Sequence, residues 1–564
     1  MPQEASNVGD GNTIVQIVGD GNIVTAGRPH LRLTRYVARR QIRQDLDRLS
    51  PYTRSTPLLG REAELSSLRT FLSDPRLLLA RVLIGSGGSG KTRLALELCE
   101  QVSATGWDTG FVTRTELHRF FDQQNLGAWG WRKPTLIVVD YAAEHAQLLS
   151  QWFDELVDRV ASPTQPLRIL LLERDASTDT GWWTTVFASG GWGAASKRDL
   201  LDPTKPVPIR ALAHADERLA LLRAMLEQAS ADRSLSVPLN DVPFRAKLMQ
   251  LTWGGDPLFL MMAALAMVRV GHAKALTLDR TDLADELARR EGDRLQRLAR
   301  AGSLDPVLLQ HLAACVTLAQ GMSREEFERY AVSEKVAINR PSGGDAAALA
   351  DLLQQALPRP NGIAPVQPDL IGEALILRTM QQDVGTSAVL RCHATIGQAV
   401  TESVIRCTQD FAQRSLTPLR WLEGIAHALG NDENALAALD ASLPMESVVL
   451  RDLNLEVAQR LQALRAARED ASPEVLATAL NGLAIAQAMA GHREEALRTA
   501  RKVTELYRAL AAERPDVFRP DLAGSLNNLA NTLSALGQRE PALLAAQEAV
   551  DIRRELDSTP RRPG

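Results

Sequence analysis

Residues 85–92 read Gly-Ser-Gly-Gly-Ser-Gly-Lys-Thr. Gly85 is followed by four residues and then by Gly90, Lys91 and Thr92, a spacing suited to phosphate chemistry. Gly85, Gly87, Gly88 and Gly90 allow backbone conformations that a Cβ forbids, so N–H groups can turn inward around an anion. Lys91 is placed to reach the terminal phosphates, and the Thr92 hydroxyl can ligate Mg2+. An apolar, β-prone run, Leu77–Ile84, leads into the loop. A helical pattern begins at Lys91, and its N-terminus adds partial positive charge. The expected ligands are ATP or ADP with Mg2+. No Asn/Thr-Lys-x-Asp string, the guanine-reading pattern, occurs in the chain, and GTP stays open as an alternative.

A phosphate cradle also needs an acid for the metal. In the segment TLIVVDYAAEH, Thr135–His145, four apolar residues lead to Asp140. At the carboxyl end of a parallel strand this acid faces the Mg2+ shell. Glu144 follows four residues later, where it could orient an attacking water or stay solvated. A third run, Leu167–Asp175, ends with Arg174, which could sense the γ-phosphate or pair with Glu173 or Asp175. The candidate catalytic residues are therefore Asp140, Glu144 and Arg174, and the candidate metal ligands are Thr92 and Asp140. The activity expected of them is nucleotide hydrolysis.

These elements sit in a chain of 564 residues, too long for a single core. Aromatic content is only 4 % and Ala, Leu and Arg dominate, as in helix-rich proteins. A net charge of −4 argues against a nucleic-acid or membrane footprint over the whole surface. Cys99, Cys315, Cys392 and Cys407 form no CxxC pair, which speaks against zinc or a disulfide framework and for a reduced, cytoplasmic setting. MPQEASN carries no signal-peptide pattern. The most apolar stretch, Leu258–Val268, is far shorter than the roughly 20 residues of a membrane span and reads as a buried helix.

In this setting the motifs resemble those of the STAND ATPases, signal transduction ATPases with numerous domains. The segment TPLLGREAELSSLRTFL, Thr56–Leu72, resembles the Gly-Arg-Glu stretch that precedes their P-loop. Their second acidic motif runs aspartate, small, apolar, aspartate, glutamate. Here it is Asp140-Tyr141-Ala142-Ala143-Glu144, with Ala143 in place of the first of the paired acids. The resemblance implies slow hydrolysis, Glu144 in the position of the base and Arg174 in that of the sensor. Gly255-Asp256-Pro257-Leu258 is similar to the family's glycine-x-proline-leucine motif, which implies Pro257 over the adenine; Gly-Asp-Pro is also a common helix start. The stretch Pro360–Leu377 reads as a hairpin followed by a helix and resembles the winged-helix segment. Gln367-Pro368-Asp369 stands where the family often has an ADP-contacting histidine. No basic recognition helix is visible there, so the segment reads as an intramolecular clamp and not as a nucleic-acid reader. The resemblance covers about residues 57–400.

The C-terminal part repeats itself. A shift of 46 residues lays Leu480–Leu497 on Leu526–Leu543, with Leu480/Leu526, Asn481/Asn527, Leu483/Leu529, Gly491/Gly537 and Ala500/Ala546 coincident. A fixed period of this length signals an α-solenoid. The pattern resembles the tetratricopeptide repeat, which implies a protein or peptide ligand on a concave face. Helices between Leu416 and Ala471 would complete the stack.

The N-terminus carries VGDGN twice within Asn7–Val24. Each copy is a glycine-rich turn followed by a β-prone run. One such pair is marginal alone but can stack across chains. Val15-Gln16-Ile17 resembles the RIP homotypic interaction motif, with Val18 as an extra residue before Gly19. Self-assembly, a local hairpin and a disordered tail all fit these residues. Arg28, Arg32, Arg35, Arg39, Arg40, Arg43, Arg48 and Arg54 follow, in a stretch that reads as linker or helix.

The expected fold class is multidomain, α/β plus α. The repeat occupies 1–27, a basic linker 28–56 and a P-loop NTPase core with a parallel sheet 57–205. A helical subdomain spans 206–300, a winged-helix-like domain 301–400, a helical connector 401–470, tetratricopeptide-like repeats 471–556 and a tail 557–564. The expected function is a nucleotide-gated signalling switch. It would be a homo-oligomer in its ATP state and would reach a separate effector through the N-terminal segment. The alternatives are an ATP-binding repeat scaffold and a transcriptional regulator of the same class.

Overall fold

A computed structural model describes residues 29–35, 41–123, 129–157, 165–178, 181–187, 194–229, 237–445, 447–468 and 471–558. The doubled repeat at residues 7–24 and residues 559–564 lie outside them. The chain divides into two units, one comprising 1–40 with 57–211 and the other 41–56 with 212–564.

The first unit is built on five strands: β1 (Leu78–Ile84), β2 (Asp108–Phe111), β3 (Thr135–Asp140), β4 (Leu167–Glu173) and β5 (Val207–Pro208). All pairings are parallel, in the order β2-β3-β4-β1-β5. The central strands are continuous apolar runs because helices cover both faces. Their residues from Leu78 to Leu83, Thr135 to Val139 and Leu167 to Glu173 are all buried. Phe153, Trp183 and Phe187 stack edge to face or tilted within this core. The sheet extends beyond the expected boundary at 205, because β5 pairs with β1 through Leu83–Val207 and Ile84–Pro208.

One buried cation ties helix to sheet. Arg168, on β4, donates to the carbonyls of Phe71, Leu72, Asp74 and Leu77 at 2.7 to 3.3 Å. Phe71 and Leu72 lie in the last turn of the helix Glu62–Ser73, whose final carbonyls have no intrahelical donor. Burial pushes the guanidinium down to about 10, so it stays charged at neutral pH and satisfies them.

The described parts of the basic stretch at 28–56, residues 29–35 and 41–56, fall in different units. Thr34 exchanges both backbone hydrogen bonds with Phe111, at 2.8 and 3.0 Å, and so adds an antiparallel segment at the β2 edge. Leu31 is buried beside it. Gly110 leaves room for this approach, since a Cβ there would lie 2.8 Å from the Leu33 Cβ. Gln41–Thr56, with a short 3-10 turn at Asp45–Leu49, belongs to the second unit. Alternating Leu31 and Leu33 suit a sheet edge, a pattern that the many arginines obscure.

Among its described residues the second unit has helices and three short strands, β6 (Met322–Ser323), β7 (Pro358–Arg359) and β8 (Gly362–Ile363), paired antiparallel in the order β6-β8-β7. The hairpin between β7 and β8 turns at Asn361, with φ 55°, and the helix Asp369–Thr379 follows. The apolar stretch at 258–268 is the core of the buried helix Pro257–Val270. The repeats form the helices Pro473–Met489, Arg493–Glu513, Pro515–Ala535 and Arg539–Ser558, each packed on the one before. Gly491 and Gly537, at φ 85° and 75°, turn the two equivalent corners. The helix Arg451–Ala466 packs on the first of them through Leu455, Ala458, Leu483 and Ala486. Among the described residues no helix is long and apolar enough to cross a membrane.

Candidate functional site

Because β4 lies between β1 and β3, the carboxyl ends of these three strands converge. Ile84 is level with Glu173, and Asp140 is level with Leu172, one step back. The glycine loop leaves β1 at this edge and enters the helix Lys91–Ser103. Gly88 and Gly90 have φ 90° and 94°, in the left-handed region that glycine adopts without strain. A Cβ on Gly85 would stand 2.8 Å from the Ser89 Oγ and 3.1 Å from the Ile209 carbonyl.

Thr92 and Asp140 meet. The Thr92 hydroxyl donates to the Asp140 carboxylate at 2.8 Å, and the other carboxylate oxygen accepts from the Tyr141 N–H at 3.1 Å. Burial pushes the Asp140 carboxyl up to about 6, against the Thr92 hydrogen bond and Lys91, which hold it down. Lys91 turns its ammonium onto the carbonyls of Gly85 and, at 3.3 Å, Ser86. Burial lowers its pKa, against the carboxylates of Asp140 and Glu173. Glu144 lies in the short 3-10 turn Ala142–His145, one turn beyond Asp140, with its N–H on the Tyr141 carbonyl at 3.1 Å. Arg174 follows β4 directly, beside Glu173. Pro257 belongs to the second unit, where it is the first residue of its helix. Asp256, just before it, pairs with Arg280, which also lies over the Phe259 ring at 4.6 Å.

Two residues at the first unit's site escaped sequence reasoning. Glu173 is buried, and its two carboxylate oxygens accept from the Ala143 N–H at 2.9 Å and the Arg174 N–H at 2.6 Å. It thereby clamps the turn after Asp140 to the end of β4. Burial raises its pKa, against those two hydrogen bonds. An acid ending an otherwise apolar strand was the available signal; the strand order was not. Arg61, of the Gly-Arg-Glu stretch, is only 3 % exposed. It donates to the Ser89 carbonyl inside the glycine loop at 2.9 Å, to the Arg210 carbonyl at 2.7 Å, and to Glu64 at 2.9 Å.

These features fit a nucleotide with a divalent cation. The Ser89 hydroxyl, inside the loop, is buried with no hydrogen-bond partner. Two of the loop's glycines take left-handed conformations compatible with a turn that points N–H groups at an anion. Thr92 and Asp140 supply the hydroxyl and carboxylate oxygens that suit Mg2+.

A separate buried cluster lies in the second unit. Glu334 accepts from Arg391 at 2.7 and 2.8 Å and from His311 Nε2 at 2.8 Å, with Cys315 alongside. Burial works to lower the His311 pKa, but Cys315 and Glu334 raise it to about 10. Both carboxylate oxygens already face cations, so the group is an ion-pair cluster and not an open metal site.

No protein-family model and no curated protein matches the sequence. Among solved structures, the Orc1 protein of Aeropyrum pernix in complex with DNA matches at 15 % identity, over 59 % of this chain and 96 % of that one, with a TM-score of 0.28. A STAND protein with a tetratricopeptide repeat sensor from Pyrococcus horikoshii matches at 13 % identity, over 89 % and 85 %, with a TM-score of 0.23. At these scores neither likeness carries weight, and the functional reading rests on the chain's own geometry.

Proposed function

We propose that this chain is a nucleotide-dependent signalling switch that binds ATP or ADP with Mg2+ and hydrolyses ATP slowly. The observation that carries the reading is the 2.8 Å contact of Thr92 with Asp140, at the carboxyl edge of a parallel sheet and beside a glycine loop. When bound, Mg2+ neutralises phosphate charge, and Thr92 and Asp140 are the residues that would hold it. Lys91 leaves the Gly85 and Ser86 carbonyls to pair with a phosphate. Glu173 fixes the turn carrying Glu144, which orients water, while Arg174 stands ready to register the terminal phosphate. The missing acid at Ala143 keeps hydrolysis slow, which suits a switch.

In this reading the helical repeats are a solenoid that takes a protein or peptide ligand. Ligand binding favours ATP over ADP, the ATP state is a homo-oligomer, and the N-terminal segment reaches a separate effector. A role in bacterial defence or regulated signalling follows from the resemblance to STAND proteins.

Light scattering on the full chain with ADP and with a non-hydrolysable ATP analogue, for the native chain and Lys91→Ala, tests the switch. A mass increase confined to the native chain with the analogue supports it. Failure of the native chain to bind either nucleotide by calorimetry would overturn it.

A further inference from the structure

We propose that Arg61 links the glycine loop to a pivot at Ala211, where the chain passes from the first unit into the second. The inference rests on nucleotide binding at that loop. Between residues 41 and 558 the chain crosses between the units after Thr56 and again after Ala211. Arg61 belongs to both crossings. It follows the first closely, at the start of the helix Glu62–Ser73, and its side chain holds the Arg210 carbonyl, just before the second, at 2.7 Å. The other terminal nitrogen of the same guanidinium holds the Ser89 carbonyl inside the glycine loop at 2.9 Å.

The crossing at Ala211 has little freedom. The Arg210 carbonyl belongs to the peptide plane that ends at the Ala211 nitrogen. The Leu212 N–H belongs to the next plane, and it donates to the Gly255 carbonyl, within the second unit, at 2.7 Å. Peptide planes are rigid, so a chain held at both planes turns only about φ and ψ of the residue they share. Each side is anchored again nearby. Ile209 is buried and donates its N–H to the carbonyl of Ile84, the last residue of β1, at 2.7 Å. Leu212 is buried as well, and its carbonyl accepts from Arg218 Nε at 2.9 Å. Gly254 leaves room for that arginine, since a Cβ there would lie 3.1 Å from its Nη1. Arg210 and Ala211 are both exposed, so no packing resists a turn between the anchors.

One guanidinium is therefore the shared fixture of loop and pivot. A phosphate in the loop draws Lys91 off the Gly85 carbonyl and fixes the loop's N–H groups, and the Ser89 carbonyl with them. The guanidinium is planar and presents its nitrogens in a set fork, so a shift at Ser89 becomes a shift at Arg210. Hinges are a few residues of this kind, which absorb changes of φ and ψ between anchored segments. Arg61 acts through two carbonyls and is a positioning residue.

Hydrogen exchange of the full chain, read by mass spectrometry at Leu212, tests the link. Among the described residues the Leu212 N–H is the only amide from Arg210 to Ala213 with an acceptor, so its exchange reports the pivot. In the native chain saturated with Mg2+ and ADP, that exchange should slow by about fivefold or more relative to the nucleotide-free chain. Arg61→Lys keeps a cation but offers one nitrogen to two carbonyls, and the slowing should shrink to about twofold or less. Inserting two glycines between Ala211 and Leu212 touches neither anchor and adds soft dihedrals. It should also abolish the slowing, with nucleotide affinity by calorimetry within about twofold of native. The insertion decides the matter if Arg61→Lys does not fold. A native chain that binds nucleotide with no change at Leu212 overturns the link and leaves the nucleotide reading intact. Slowing of native size in either saturated variant overturns it too. A native chain that binds neither nucleotide overturns both.

Discussion

Replacing Arg61 by methionine should both unfold the first unit more easily and weaken its grip on nucleotide. The guanidinium is 3 % exposed and holds the carbonyls of Ser89 and Arg210 at 2.9 and 2.7 Å. A hydrogen bond from a charged donor contributes about 1.5–3 kcal/mol, so two orphaned carbonyls cost about 3–6 kcal/mol at most. Methionine keeps the aliphatic packing and some water will reach Arg210, which leaves a net loss of about 2–4 kcal/mol. The Ser89 share falls on the shape of the glycine loop itself and predicts nucleotide affinity lower by about tenfold to a hundredfold. Tryptophan fluorescence in urea is a suitable probe, because seven of the nine tryptophans belong to the first unit. Titration with a fluorescent ATP analogue gives the affinity. Lys91→Ala is the contrasting control, with affinity lost and the urea midpoint kept. An Arg61→Met chain that loses stability yet binds nucleotide within about twofold of the native value would refute the link between this arginine and the loop.

Thr92→Val should remove the benefit of Mg2+, so that affinities measured with Mg2+ and with a chelator converge, while both differ clearly in the native chain. Glu173→Gln replaces one of two acceptors by a donor facing a backbone N–H. Single-turnover hydrolysis should fall by about tenfold or more at little cost in nucleotide affinity, and equal losses in both would show a merely structural residue. His311→Gln should destabilise the second unit by about 1–3 kcal/mol near neutral and acid pH. Its folded pKa is raised from 6.5 to about 10, so its contribution is whole below about 6.5 and fades as pH rises through 10. The difference in melting temperature between native and variant chains should therefore shrink in alkali; a difference that grows there would reverse the argument.

Much of the first unit was legible because its strands are buried on both faces and read as apolar runs. The run at 77–84 appears as Leu78–Ile84, and those at 136–139 and 167–175 appear as Thr135–Asp140 and Leu167–Glu173. The helix begins at Lys91, where the glycine pattern stops. What the one-dimensional pattern lacks is lateral order. Nothing in it says that β4 lies between β1 and β3, and so Glu173 read as a salt-bridge partner for Arg174 when it is a clamp on the turn beyond Asp140. Arg61 was hidden for a similar reason, since a charged residue beside a predicted helix reads as surface. The hairpin and helix near 360–377 were visible through Asn361-Gly362 and the apolar period that follows. The Pro29–Arg35 edge segment was masked by its own arginines, which occupy the solvent side.

The strand order also bears on what the site can hold. Asp140, Glu173 and Lys91 are gathered where burial works against every one of their charges, raising the two carboxyls and lowering the lysine. Their mutual attraction offsets only part of that cost, and two acids against one lysine leave negative charge at the Asp140 side. On the loop side the helix N-terminus and the glycine-loop N–H groups leave the opposite excess. A lone anion would relieve the loop and aggravate the carboxylates, and a lone cation would do the reverse. A divalent cation joined to a polyphosphate relieves both at once. On the proposed reading this charge arrangement suits the pair, so nucleotide affinity should depend on Mg2+ and Thr92, whose hydroxyl bonds Asp140, should transmit that dependence.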